Sequence, residues 1–316
     1  MLLVYLAVFL FISLSLQWLY TRLRDFPSGK GSRSSAHDLE RMAPYPPRPI
    51  RGRGTYRVMM DVRKLDQHNW LTMDKNYMDE HRVRARLLEA EKPKVFQVLP
   101  ESREACTEAL TEVVAFLCER YPWMFESTKK DKETAVHNKK TGETFIFGGP
   151  NSSMEPLEVA VRLSMEDLSI LIKNADDEYY LLLHNSNNGF LARLTPESPM
   201  ERSNYFVELK GPNEGLYSTL FRPDGLSEAT PSPRPCDIII RRERQTFRKL
   251  PQSGALLFGV KTTLTTLEEL PREELHNLVR EMETWPEEVA SYKGKDIWGE
   301  SVLHFCQQTI GLPQVG

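Results

Sequence analysis

Apolar residues recur at helical spacing most clearly in residues 100–120. There Cys106, Ala109, Leu110, Val113, Val114, Leu117 and Cys118 follow an i, i+3, i+4, i+7 pattern. The pattern predicts a helix that stops before Tyr121-Pro122, because a proline disfavours helical backbone at the residue before it. Residues 272–283 predict a second helix, entered at Thr266 with Glu268 and Glu269 in the first turn and ended by Trp285-Pro286. Residues 298–308 predict a terminal one. Ser164, followed three residues later by Asp167, reads as the cap of a helix over 164–173. Asp66 reads as the N-cap of a helical segment that starts over 66–70 and continues through 73–88. Strand signals fall at 56–62, 144–147, 179–183 and 205–209. Residues 128–144 are polar, with Thr141-Gly142 as a turn. Helices in the first half and strands gathered later predict an α+β domain with a mainly antiparallel sheet.

The densest signal lies in residues 236–263. Ile238-Ile239-Ile240 is strand-prone, Pro251 and Gly254 punctuate a connection, and 255–260 returns as an apolar run. Five cations (Arg241, Arg242, Arg244, Arg248, Lys249) and one acid (Glu243) crowd onto this hairpin. Side chains alternate across a strand, so Arg242, Arg244 and Arg248 share one face, and Glu243 and Gln245 the other. A row of guanidinium groups clamps carboxylates or phosphates. The competing reading is a solvated strand whose charge protects it from aggregation.

The chain has 316 residues, room for one large domain or two small ones. Its net charge of −3 argues against a nucleic-acid partner. The four cysteines form no CxxC pair. Cys106 and Cys118, twelve residues apart on one helix, stand about 18 Å from each other, beyond disulfide reach. A reducing compartment follows.

Residues 2–19 carry no charge and sit at the lower limit for a bilayer span. Trp18 and Tyr20 suit the interface, and Arg22 and Arg24 follow at once. A single-pass anchor over residues 1–21 is predicted, with the body on the cytosolic side, at the endoplasmic reticulum. A cleaved signal peptide is the alternative; it would expose Asn151-Ser152-Ser153 to glycosylation. Residues 22–54, rich in Pro, Ser, Gly and Arg, read as a stiff basic linker able to rest on anionic headgroups. Residues 55–316 form the folded body.

No GxSxG, HExxH, P-loop or GxGxxG spacing occurs, and no cluster of metal ligands. His81 and His276 read as solvated. Asp74 and Glu80 read as capping and surface acids. His184 follows the apolar run 179–183 and opens a loop, HNSNNG. A histidine there either ligates a metal or haem iron through its neutral imidazole or is structural.

Several segments together resemble the haem-dependent oxidative N-demethylase alpha-subunit-like family. They are YRVMMDVRKLDQHNWLTMDKNY (56–77), RYPWMF (120–125), EDL (166–168) with a later Tyr180, RLTPESPMERSNYF (193–206), RRERQTFRKLPQSGALLFGVKTTL (241–264) and WPEEVASYKG (285–294). Their order and spacing hold from about residue 45 to 300, nearly all of the body. The resemblance implies a PAS-like sheet with flanking helices that binds haem b. It also implies oxygen-dependent oxidation of a small organic substrate, such as an amine, with electrons from a separate reductase partner and a place in a biosynthetic pathway. Fungal members often carry an N-terminal apolar anchor. Arg244 and Arg248 match the family's RQ-x-x-x-R motif, and pairing with the haem propionates is the physical role expected of them. One departure stands out. After Leu183 the family has a longer stretch with an Ile-His motif whose histidine is expected at the haem, and here only HNSNNG bridges the gap. Three outcomes stay open: His184 substitutes as the iron ligand, the chain is a haem-free binding or interaction protein of the same fold, or the gene product is shortened. A PAS-like sensor is a further use of such a scaffold.

Overall fold

A computed structural model describes residues 39–52, 54, 61–152, 154–173, 193–211, 214–220 and 232–311. The apolar run 2–19, most of the 56–62 strand, the 179–183 strand and His184 lie outside these residues. The chain divides into Met1–Asp38 and Leu39–Gly316, and the second unit is the one built here. Among the described residues no helix is long and apolar enough to cross a membrane.

The strands, numbered in chain order, are β1 (Arg63–Lys64), β2 (Phe125–Lys130), β3 (Glu133–Asn138), β4 (Thr144–Phe147), β5 (Asp167–Leu171), β6 (Met200–Leu209), β7 (Ile238–Lys249) and β8 (Leu256–Thr266). They form a five-stranded sheet in the order β1-β6-β7-β8-β5 and a three-stranded sheet in the order β2-β3-β4. Every pairing is antiparallel. The flanking helices are α1 (Tyr77–Ala90), α2 (Lys92–Val95), α3 (Arg103–Arg120), α4 (Pro156–Leu163), α5 (Arg272–Thr284), α6 (Glu287–Tyr292) and α7 (Lys295–Ile310). The result is the α+β class with antiparallel sheets that the sequence predicts.

The long hairpin organises this arrangement. Its turn closes through Leu250 N–H to Ala255 O at 2.8 Å, with Gly254 at a φ of 68° that favours glycine. Glu108 of α3 accepts from the turn's Gln252 and Ser253 amides at 2.6 and 2.8 Å, which accounts for a buried carboxylate on an apolar helix face. The register sets Ser203, Arg244 and Lys261 side by side, so the even residues of β7 share a face with the odd residues of β8. On that face Ile238 and Ile240 pack with Leu275 and Leu278 of α5 and Trp298 and Val302 of α7. Further along, Leu257 and Leu168 join Leu110, Val113 and Leu163 in the larger core. Arg242, Arg244 and Lys261 therefore form a polar band on the same sheet face as both apolar clusters. The opposite face carries Phe247 and Phe258, 4.9 Å apart, with Leu171, Leu194 and Leu256.

Two segments differ from the sequence expectation. The helix predicted over 164–173 is strand β5, and the helix lies before it, at Pro156–Leu163. Ser164 is extended and follows that helix rather than starting one. Five residues of β5 pair with β8, whose long ladder offers partners that outweigh the local capping signal. The polar stretch over 128–144 is mostly a hairpin, β2 and β3, turning at Asp131 with a φ of 54°. All of β2 after Phe125 is exposed, so no apolar alternation marks it.

Local capping is legible. Asp66 accepts from His68 N–H at 3.1 Å. Thr266 and Glu269 form a reciprocal capping box at the turn after β8. Replacing Thr266 by Ala should cost about 1 kcal/mol and lower the melting temperature by roughly 2–4 °C for a domain of this size. Thermal unfolding followed by circular dichroism measures it, and an unchanged Tm would assign no stability to the cap.

Candidate functional site

β5 is an edge strand, hydrogen-bonded to β8 on one side only among the described residues. Beside it α1, α2, α3 and α4 leave a cavity of about 700 Å³. Its wall is mainly apolar, with Leu88, Phe96, Leu157, Val161, Leu168 and Ile170 prominent. Ile172 and Leu220 also line it, each just ahead of the residues outside the description, 174–192 and 221–231. Segment 174–192 carries His184. A concave apolar cavity of this size with a few polar groups suits an organic ligand.

The polar groups of the wall are Arg84, Lys94, Asp167, Ser102, Cys106, Ser169 and Gln97. Arg84 is buried and clamps the α4–β5 connection. Its Nη1 donates to Val161 O and Glu166 O at 3.1 and 2.6 Å, and its Nη2 to Met165 O at 3.2 Å. Asp167 stands 3.2 Å from the same Nη2. A cation at these carbonyls complements the C-terminal end of α4. Cys106 projects from α3, and burial pushes its thiol up, so it stays protonated.

On the sheet face behind this wall lies a second cluster that sequence reasoning missed. Lys261 Nζ stands 3.3 Å from Asp74 Oδ2, 3.7 Å from Glu80 Oε2 and 3.0 Å from Met165 Sδ. Glu166 accepts from Thr72 N–H at 3.0 Å, while its Oε2 is buried without a hydrogen-bond partner. Burial pushes the Glu80 carboxyl up to about 7, against the attraction of Lys261. Burial raises Glu166 as well, again opposed by Lys261. Asp74 does cap, accepting from Asn76 N–H at 2.8 Å, yet it is also a buried counter-ion; Glu80 is buried rather than a surface acid. His81 is not solvated as expected. Its ring meets Arg162 O at 3.2 Å and Glu143 Oε2 at 3.0 Å and stacks on Tyr77.

Arg244 and Arg248 share a face, as alternation predicts, and neither lines the cavity. Arg244 Nε donates to Glu201 at 2.7 Å and Nη1 to Trp70 O at 3.3 Å, with the Tyr45 ring 4.3 Å from its guanidinium carbon. Arg248 donates to Glu112 of α3 at 3.0 Å and lies over the Trp70 ring at 4.5 Å. Both cations are thus held by carboxylates of this chain. Those partners sit 43 and 136 residues away in sequence, which is why strand alternation alone could not show them.

An antiparallel sheet flanked by helices, with an apolar cavity at its edge, defines an α+β domain. The model of the family described as haem-dependent oxidative N-demethylase, alpha subunit-like, matches residues 61–184 and 182–303. The chain belongs to that family, and the family's chemistry is haem-dependent oxidation, an oxidoreductase activity.

The cavity suits the body of a haem in volume and wall; Arg84 and Lys94 line it, Arg84 against Asp167 and Lys94 against Glu91. The iron is a different matter. Haem iron takes a histidine, a thiolate, a methionine or a tyrosinate. Among the described lining residues Cys106 is the one such donor, and it is held as a thiol. Among the described residues no group of three or more His, Cys, Asp or Glu could hold a metal ion.

Proposed function

We propose that this chain is a haem-dependent monooxygenase- or demethylase-like oxidoreductase acting on a small organic substrate in a biosynthetic pathway. The sheet is PAS-like, the cavity beside β5 takes haem b, and His184 ligates the iron. A separate reductase delivers the electrons. The run 2–19 anchors the body to the cytosolic side of the endoplasmic reticulum membrane. The observation that carries the reading is the mainly apolar cavity of about 700 Å³ beside β5. Haem, when bound, supplies the oxygen chemistry. The chain's own residues supply the rest: Leu157, Val161 and Leu168 keep water from the macrocycle, and Lys94, which also meets Glu91, offsets its carboxylates. Arg244 and Arg248 tie the sheet to Trp70 and α3, and the propionate role passes to Lys94 of the cavity.

A haem-free binding protein of the same fold is the second reading. It is favoured by the family match falling in two stretches that meet at 182–184, where the resemblance implies a longer segment with an Ile-His motif. One experiment separates the two. Full-length chain titrated with haem should show a Soret band saturating at one haem per chain. His184→Ala should shift or abolish the band. Ile170→Trp, which narrows the cavity, should weaken uptake at least about tenfold, a loss of ~1.4 kcal/mol. Folded protein with no haem uptake would overturn the first reading and leave the second.

A further inference from the structure

Among the described residues the arginine band on β7 has more donors than acceptors. Nε of Arg48, Nε of Arg242 and Nη2 of Arg244 are buried and make no hydrogen bond. Arg242 and Arg244 are 6% and 8% exposed. All three side chains line one crevice on the sheet, roofed by Tyr45, Pro46 and Pro47. Arg63 and Lys261 line it too, which makes five cations, Lys261 with its ammonium held by Asp74 and Glu80. The carboxylates nearby are engaged elsewhere on the same groups. Arg242 donates through Nη2 to Glu274 at 2.5 Å, and Arg48 holds Asp61. Arg63 and Arg244 share the single carboxylate of Glu201. Nη2 of Arg244 lies 2.7 Å from that carboxylate without a hydrogen bond of its own. The acid that also lines the crevice, Glu243, accepts from Gln245 at 2.9 Å and from Arg241 at 3.4 Å.

A buried N–H without an acceptor costs about 1–3 kcal/mol, and more on a charged group, so three at one crevice call for an occupant. The crevice encloses about 20 Å³, room for one water-sized species. Water accepts two hydrogen bonds and must also place two protons of its own. Among five cations a third N–H would then stay orphaned. A small anion accepts from all three and offers no proton. We infer that this crevice is a binding site for a small monovalent inorganic anion of the size of chloride. Phosphate and sulfate are too large for it. The site joins Arg48, in the segment before the body's first strand, to Arg242 and Arg244 of β7. Tyr45, stacked on Arg244, closes it. Occupancy therefore fastens residues 45–48 to the sheet, a role apart from the cavity beside β5.

Chloride and bromide are the probes, with gluconate as the large anion that cannot enter. At constant ionic strength, exchanging gluconate for chloride should raise the Tm of the full-length chain saturably, by roughly 3–5 °C at ten times the dissociation constant. Chlorine-35 NMR of the same protein should show excess line width that bromide removes. Arg242→Lys keeps a cation for Glu274 and deletes the Nε donor, and it should lose most of the chloride-dependent rise and of the excess line width. Equal Tm in chloride and gluconate with no excess line width would assign the crevice to water and overturn the proposal. A rise that never saturates, or that persists undiminished in Arg242→Lys, would place the effect on the general surface and overturn it equally. Should Arg242→Lys fail to fold, the line width of the unaltered chain and its displacement by bromide decide alone.

Discussion

Replacing Lys261 by Met should destabilise the domain by ~3–5 kcal/mol near pH 8, the cost of removing one partner from a buried charge cluster. Lys261 is 4% exposed and holds two buried acids, Asp74 and Glu80. It also attracts Glu166, which is 1% exposed. Methionine fills nearly the same volume, so the penalty comes from stranded carboxylates rather than from a cavity. Arg84 and Arg244 remain near, but Arg84 is spent on three carbonyls and Arg244 on Glu201 and Trp70 O. Without the ammonium, Glu80 and Glu166 relieve the strain by taking up protons. The loss should therefore shrink as pH falls toward 5. Urea unfolding of Lys261→Met and the unaltered chain at both pH values measures this. A loss under about 1 kcal/mol at pH 8 would mean that the cluster is wet enough to screen its charges.

How much of this was open to a reader of the sequence depends on whether partners were local. The helix at Arg103–Arg120 was legible because Ala109, Leu110, Val113 and Leu117 report their burial through spacing alone. The β7–β8 hairpin was legible because Ile238–Ile240 and the Pro251–Gly254 connection mark strand and turn. Caps at Asp66 and Thr266 were equally local. β5 was not, because Ser164 and Asp167 imitate a helix start and only the ladder of β8 reveals the strand. The β2–β3 hairpin carries no clear periodicity, since β2 is exposed on both faces after Phe125. The arginine row was read correctly as a shared face, but its chemistry was fixed by Glu201, Glu112 and Glu274, which no spacing rule connects to β7. The cavity came from packing four helices against an edge strand, and nothing short of the assembled fold displays it. The family resemblance supplied the activity class, and the family match bears it out. His184 lies outside the described residues.

The domain should lose stability as pH rises from about 4.5 to 7, and Glu80 is one cause, beside Glu166 and Asp167, whose carboxyls burial also raises. Its carboxyl is pushed from an ordinary 4.5 up to about 7, chiefly by burial, with Asp74 and Glu166 adding repulsion and Lys261 opposing. A folded-state value above the unfolded one means that the folded chain holds this proton more tightly. The stabilisation is fully present below 4.5 and is lost as pH climbs through 7. The gap between 4.5 and about 7 corresponds to about 3 kcal/mol. Glu80→Gln carries the neutral form at every pH. It should reduce the slope between pH 4.5 and 7, leaving the share of Glu166 and Asp167, and make the variant about 2–3 kcal/mol more stable than the parent at pH 8. Lys261 keeps Asp74 at 3.3 Å in that variant, so the ammonium is not stranded in turn. Unfolding free energies from urea titrations at half-unit pH steps trace both curves. Parallel curves for parent and variant would show that Glu80 is ionised throughout and that the buried cluster carries its full charge.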